Sequence, residues 1–201
     1  MAAGRKKGDH DARRIQIAEA TCRVILRMGV ERAGIAEIAR EMGCSTGVVM
    51  HYHASKAELL LFAKNLLFDT VYDRVAQARQ GPAVIDTLVA MGREMLPLDA
   101  AAVERWRVLT AFNGLAIGNP DLMKLQAKRD LRFTKIFSDA IRELQQAGVL
   151  SSKLDALTEG RGIAALADGI SGEVVMSPGT WKPRQSLAFM ERHIRMLAAV
   201  P

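Results

Sequence analysis

A chain of 201 residues can bury a sizeable core in one or two domains, and 49% of these residues are apolar, yet no uninterrupted apolar run approaches the ~20 needed to cross a bilayer. The charged start, MAAGRKKGDHDARR, has no apolar segment behind it, so composition excludes a membrane span and a secretion signal and predicts a cytoplasmic protein without membrane partners. The net charge of +6 is uneven: residues 1–56 hold ten Lys and Arg against six Asp and Glu, while the longer remainder holds eighteen against sixteen. A basic excess of this kind suits a phosphate-binding segment, although a charge run is also the ordinary mark of a solvated face.

Residues 1–10 are polar and basic without apolar periodicity and read as a flexible arm, in which Arg5, Lys6 and Lys7 could reach a groove or phosphate. From about Asp11 to Met28, Ile17, Ala20, Cys22, Val24, Ile25 and Met28 recur on one broad helical face, and Gly29 stands where a helix C-terminus needs a positive φ. Cys22 and Cys44 sit among apolar neighbours and read as reduced, buried thiols rather than a disulfide.

The segment Ile35 to Lys56, IAEIAREMGCSTGVVMHYHASK, reads as two short helices joined by a glycine turn. Ile35, Ile38, Ala39 and Met42 give the first its apolar edge, Gly43 makes the turn, Ser45 caps the second helix, and Val48, Val49 and Tyr52 supply its inward edge. A helix-turn-helix of this form lays its second helix in the DNA major groove, which makes Thr46, Val48, Met50 and His51 the base-facing candidates. The local pattern fits an ordinary helical hairpin of an all-α protein equally well.

Over about fifty residues, RRIQIAEATCRVILRMGVERAGIAEIAREMGCSTGVVMHYHASKAELL resembles the N-terminal domain of TetR-family transcriptional repressors, matching at Gly29, Ile38, Ala39, Gly43, Ser45, Gly47, His51, Tyr52, Ser55, Lys56 and Glu58. The STGVVMHY segment is most similar to the BetI-like branch, typified by choline-responsive repressors of glycine betaine synthesis. The resemblance implies that Tyr52 and Lys56 hold phosphates and residues 46–51 read bases, so the DNA-binding set is Ser45, Thr46, Gly47, Val48, Met50, His51, Tyr52 and Lys56. The sequence departs from the family at Gly34, which supplies no hydroxyl where Thr or Ser is usual, at Ala36, and at His53, which replaces a common Phe.

Ser55 and Glu58 form a capping box that opens a long helix to about Gln80. Pro82 is expected to open a helix running to about Leu96, followed by helices over about Asp99 to Gly118, Asn119-Pro120 to Gln146, Leu154 to Met176, and Pro183 to Val200. Gly162, Ala165, Gly169 and Gly172 leave one side of the penultimate helix nearly bare, and Leu187, Met190, Ile194 and Leu197 form an apolar stripe on the last. Together these eight residues are the candidate homodimer interface, with packing inside the monomer as the alternative.

No phosphate-cradling loop, H-E-x-x-H or G-x-S-x-G elbow is present, and His51 and His53 lie about 200° apart on a helix and cannot share a metal. Neither an enzyme nor a bound cofactor or metal is expected. Trp106, Thr110 and Asn113 share a helical face, and with Met91, Met95, Met123 and Phe133 as walls they are the candidate pocket for an unidentified small-molecule effector. The BetI-like resemblance points to a quaternary ammonium, which needs aromatic faces that are sparse here, with amphipathic drugs and acyl compounds as rivals. The expected architecture is all-α: an arm (1–10), a three-helix DNA-binding domain (11–54), and a helical bundle for effector binding and dimerisation (55–201). The expected function is a homodimeric, ligand-released repressor on a palindromic double-stranded DNA operator. The alternatives are a helical protein-interaction module and, last, an all-α enzyme.

Overall fold

The computed structural model describes residues 2–117 and 119–199, and their side chains from Asp9 onward. Among the described residues there are nine α-helices and no strand: α1 (Ala2–Met28), α2 (Ile35–Glu41), α3 (Thr46–Tyr52), α4 (Lys56–Ala78), α5 (Ile85–Glu94), α6 (Ala100–Ala116), α7 (Pro120–Gln146), α8 (Ala156–Met176) and α9 (Pro183–Met196). A short 3-10 turn, Leu197–Ala199, closes the chain. Two compact units divide it, residues 1–69 with 107–113 and residues 70–106 with 114–201. Both α4 and α6 run from one unit into the other, so the division falls inside α4 rather than ahead of it at residue 55.

The first unit is built on α1 to α3. Ile17, Ala18, Val24, Ile38, Val49, Leu59 and Ala63 are buried there, and Gly29 and Gly43 take φ of +83° and +63°, which turn the chain out of α1 and between α2 and α3. Helix α1 begins at Ala2, where composition predicts an arm up to about residue 10. Once α1 is nucleated by its packed part, extension costs one residue's freedom per new hydrogen bond, and no proline interrupts it. The side chains of Arg5, Lys6 and Lys7 lie outside the described residues. Gly34 serves as N-cap of α2 in an extended conformation without a side-chain bond, as its lack of a hydroxyl requires. Arg23 Nε and Arg27 Nη1 clamp the Glu41 carboxylate at 2.9 and 2.8 Å, tying α1 to the end of α2 and holding that carboxyl below its usual range. Cys22 and Cys44 are free and half-buried, and burial pushes the Cys22 thiol up to about 11.

Of the capping box expected at α4, the Ser55 cap forms, while the Glu58 side chain reaches past the cap residue to the amide before it. Ser55 Oγ accepts from the Glu58 amide at 3.1 Å, and Glu58 Oε2 accepts from the Ala54 amide at 2.6 Å. The other Glu58 oxygen receives Arg14 Nη2 at 2.8 Å, and the same guanidinium lies 4.5 Å from the centre of the Phe62 ring. His53 is enclosed beside this pair, 1% exposed, with its ring 5.1 Å from Phe62 and its Nδ1 3.7 Å from Glu58, beyond ordinary hydrogen-bond reach. Burial, and then the Arg14 charge, hold the His53 imidazole below the usual histidine range. The unfolded chain therefore binds the proton more readily than the folded one. The stability tied to a neutral His53 is fully present above the ordinary value near 6.5 and declines as pH falls below it. We expect urea unfolding to show a loss of stability between about pH 7.5 and pH 5 that is smaller in His53→Phe. An equal loss in both proteins would remove His53 from this account.

In the second unit α7 lies along α8, α5 packs on α9, and α5 also meets α7 and α8. Phe137, Ile141, Ile163, Ala167, Leu88, Met91, Met190 and Ile194 are all within 1% of complete burial. Asn119 caps α7 through its side chain with Pro120 at the first turn. Helix α5 starts at Ile85 instead of Pro82, because the Pro82 carbonyl is taken by the Thr87 hydroxyl at 2.6 Å in a turn that precedes the helix. No helix among the described residues is long and apolar enough to cross a membrane.

Candidate nucleic-acid interface

Helix α3 is seven residues long and is fixed at both ends. Ser45 Oγ accepts from the Val48 amide, and the His53 amide donates to the Val49 carbonyl at 3.1 Å. Val49 alone is fully buried and points the helix, while Ser45, Thr46, Gly47, Met50 and His51 are exposed and Val48 and Tyr52 half-buried. The inward edge is thus narrower than the sequence predicts, because this short helix fully buries only Val49. Exposed Met50, 42% accessible, is an apolar side chain left in water at the centre of this face. Lys56, the first residue of the next helix, is held by a 2.8 Å bond from its Nζ to the Glu31 carbonyl, which sets its ammonium over the loop before α2. Thus all eight residues expected to meet DNA lie in or beside α3 within the first unit.

This arrangement, a capped short helix with an exposed polar outer face crossing another after a glycine turn, can enter a major groove. Comparison with known proteins decides what it is for. Residues 17–62 match the model of bacterial regulatory proteins of the tetR family, and residues 84–199, more than half of the chain, match the C-terminal model of BetI-type transcriptional repressors. The chain belongs to the TetR family. It is a DNA-binding transcriptional regulator and not an enzyme.

Among TetR-family relatives, it is 34% identical to the HTH-type transcriptional regulator PksA of Bacillus subtilis over 181 residues, 86% of this chain and 83% of that protein. It is 31% identical to the HTH-type transcriptional regulator BetI of Escherichia coli over 172 residues, 82% of this chain and 83% of that one. A transcriptional regulator from Rhodococcus sp. Rha1 has a similar structure, with a TM-score of 0.80 at 26% identity over 94% of this chain and 99% of that one. A regulator from Saccharomonospora viridis solved in complex with choline shares the fold, with a TM-score of 0.78 at 24% identity over 92% of this chain and 95% of that one.

The residues expected to line an effector pocket are distributed differently. Thr110, half-buried, and Asn113, exposed, belong to the first unit, where Asn113 Oδ1 accepts from Lys64 Nζ at 3.5 Å. Met91, Met95, Trp106, Met123 and Phe133 belong to the second. Met91 and Met95 are core residues at 0% and 2% exposure, Trp106 spends its single donor on the Met95 carbonyl at 3.0 Å, and Phe133 packs edge-on against Tyr72. Met123 is 55% exposed. Neither unit gathers these seven residues into one site. A small surface cleft in the second unit, bordered by Arg79, Pro82, Thr87 and Glu143, contains none of them.

The expected dimer face separates in the same way. Met190, Ile194 and Leu197 are buried inside the second unit and Leu187 is half-buried, so the α9 stripe serves the monomer core. A Cβ placed on Gly92 of α5 would lie 2.8 Å from Ile194 Cδ1 and 3.2 Å from Met190 Cγ, which shows how closely α5 covers that stripe. The α8 face behaves otherwise. Ala165 and Gly169 are exposed, and an added Cβ at Gly162, Gly169 or Gly172 would meet nothing within 4 Å.

Proposed function

We propose that the protein is a cytoplasmic repressor that binds a palindromic operator as a homodimer, reads it through Thr46, Val48, Met50 and His51, and leaves it when a small-molecule effector binds the helical part that follows the DNA-binding domain. The exposed outer face of α3, with Ser45 and Lys56 at its edges, is the observation that carries the reading. A single seven-residue recognition helix offers few contacts, so a second copy supplies the other half-site. The bare α8 face around Ala165, Gly169 and Gly172 is the surface assigned to that copy, with the buried α9 residues removed from it. Effector control acts through different affinities of the two states for the ligand. Choline, carried by the S. viridis regulator, is the first effector to assay, followed by acyl compounds and amphipathic drugs.

Operator selection from a random duplex pool, followed by titrations over a range of salt, tests the interface. Lys56→Ala is expected to weaken binding to all sequences about equally and to flatten the slope of log K against log salt by roughly 0.9 per contact. Substituting Thr46 or His51 is expected to change preference at one base pair by about 1–3 kcal/mol. A Lys56→Ala protein with altered sequence preference and an intact salt slope would remove the phosphate role given to that residue.

A further inference from the structure

We propose that His10 is a further DNA-contacting residue, whose protonated imidazole meets a backbone phosphate beside Tyr52. Three aromatic rings form one cluster at the C-terminal end of α3. The His10 ring, carried by α1, lies 4.8 Å from the Tyr52 ring, and the His51 ring stands edge-on to Tyr52 at 5.0 Å and to His10 at 6.5 Å. Tyr52 and His51 belong to the recognition helix, so a ring set against both is carried to the DNA wherever they are. His10 is not consumed by the core, since its side chain is 46% exposed. The Asp11 carboxylate lies on the Nδ1 side at 3.8 Å, which makes Nε2 the nitrogen available to a phosphate.

Among the described side chains, the charged and titratable groups around His10 are few. Asp9, Asp11, Arg13 and Arg14 are its neighbours along α1, Arg13 being engaged with Gln16 and Arg14 with Glu58, and His51 and Tyr52 face it from α3. A phosphate brought against this cluster adds an anion that favours the imidazolium, and histidine is the side chain that gains its charge between about pH 8 and pH 5. Binding then takes up a proton, and affinity rises as pH falls. The contact needs no particular base, so it adds to affinity and salt dependence for any duplex.

The inference rests on the α3 face meeting DNA, and the experiment separates the two. Fluorescence anisotropy with a labelled random-sequence duplex of about 30 base pairs, titrated over a range of salt near pH 6 and pH 8, measures the slope of log K against log salt. The wild-type slope is expected to steepen at the lower pH. In His10→Phe, which keeps an aromatic ring there but not the charge, that steepening should be smaller by about 0.9 per bound recognition helix. In His10→Lys the steeper slope should hold at both pH values. His51 is present in all three proteins and contributes equally, and circular dichroism at each pH shows that the variants are folded. Slopes and affinities of His10→Phe equal to wild type at both pH values would overturn the role of His10. If Lys56→Ala still flattened the slope on the same duplex, only the His10 inference would fall. If Lys56→Ala also had no effect, the assignment of the α3 face would fall with it.

Discussion

Gly169→Glu should leave each protomer folded, abolish the dimer, and lower affinity for a palindromic operator by at least about 100-fold. The first part follows from space: an added Cβ at Gly169 has no neighbour within 4 Å, and replacing a glycine inside a helix adds up to about 1 kcal/mol of helix stability. The second follows from symmetry. Around a two-fold axis a residue on the shared face meets its own counterpart or that residue's neighbours, so a new carboxylate places two like charges in a desolvated contact. The third follows from linkage of half-sites, since one recognition helix bound makes the second binding event intramolecular, a gain of roughly 10²–10⁴ that a monomer forfeits. Sedimentation and operator titration measure both outcomes. A Gly169→Glu protein that remained dimeric and bound operator as the wild type does would show that the second copy docks elsewhere.

The parts of this molecule that were legible in its sequence are those whose structure is decided by neighbouring residues. Gly29 and Gly43 take the left-handed φ that their positions require, Ser45 caps the helix it precedes, and the Ser55 hydroxyl accepts from the Glu58 amide as a cap should. Because a helix-turn-helix consists of such local decisions, the exposed side of α3 could be read down to individual residues. What failed depended on which element lies opposite. The stripe Leu187, Met190, Ile194 and Leu197 was correctly apolar, but periodicity says that a face is covered and not by what, and α5 covers it within the same chain. Met91, Met95 and Trp106 carry the same residue types whether they line a ligand or fill a core. In the folded chain all three are buried, and Trp106 donates to the Met95 carbonyl. The contact of His10 with Tyr52 joins residues 42 positions apart on separate helices, and no local signal announces it.

Glycines on α8 show how finely the partner decides. The repeat at 162, 165, 169 and 172 has the spacing of a close helix crossing, yet within the chain the crossing is made by Gly160. A Cβ there would stand 2.7 Å from the Ser138 amide nitrogen, 3.0 Å from the Thr134 carbonyl oxygen and 3.1 Å from the Ser138 Cα. These are backbone atoms of α7, which cannot swing aside as a flexible side chain can. Gly160→Ala must therefore push α7 and α8 apart along a contact that includes the fully buried Phe137 and Ile163, and overpacking of this kind costs about 1–3 kcal/mol. The helix-propensity gain of about 1 kcal/mol opposes it but is smaller than the upper part of that range. With three atoms of rigid backbone in the way, the upper part applies, leaving a net loss of about 2 kcal/mol. For a chain of this length that lowers the melting temperature by roughly 4–8 °C. Gly162→Ala, two residues along the same helix with open space at its Cβ, is expected to raise it. Differential scanning calorimetry on the two variants compares the same substitution in the same helix, and equal melting temperatures would mean that α7 and α8 do not approach each other at Gly160.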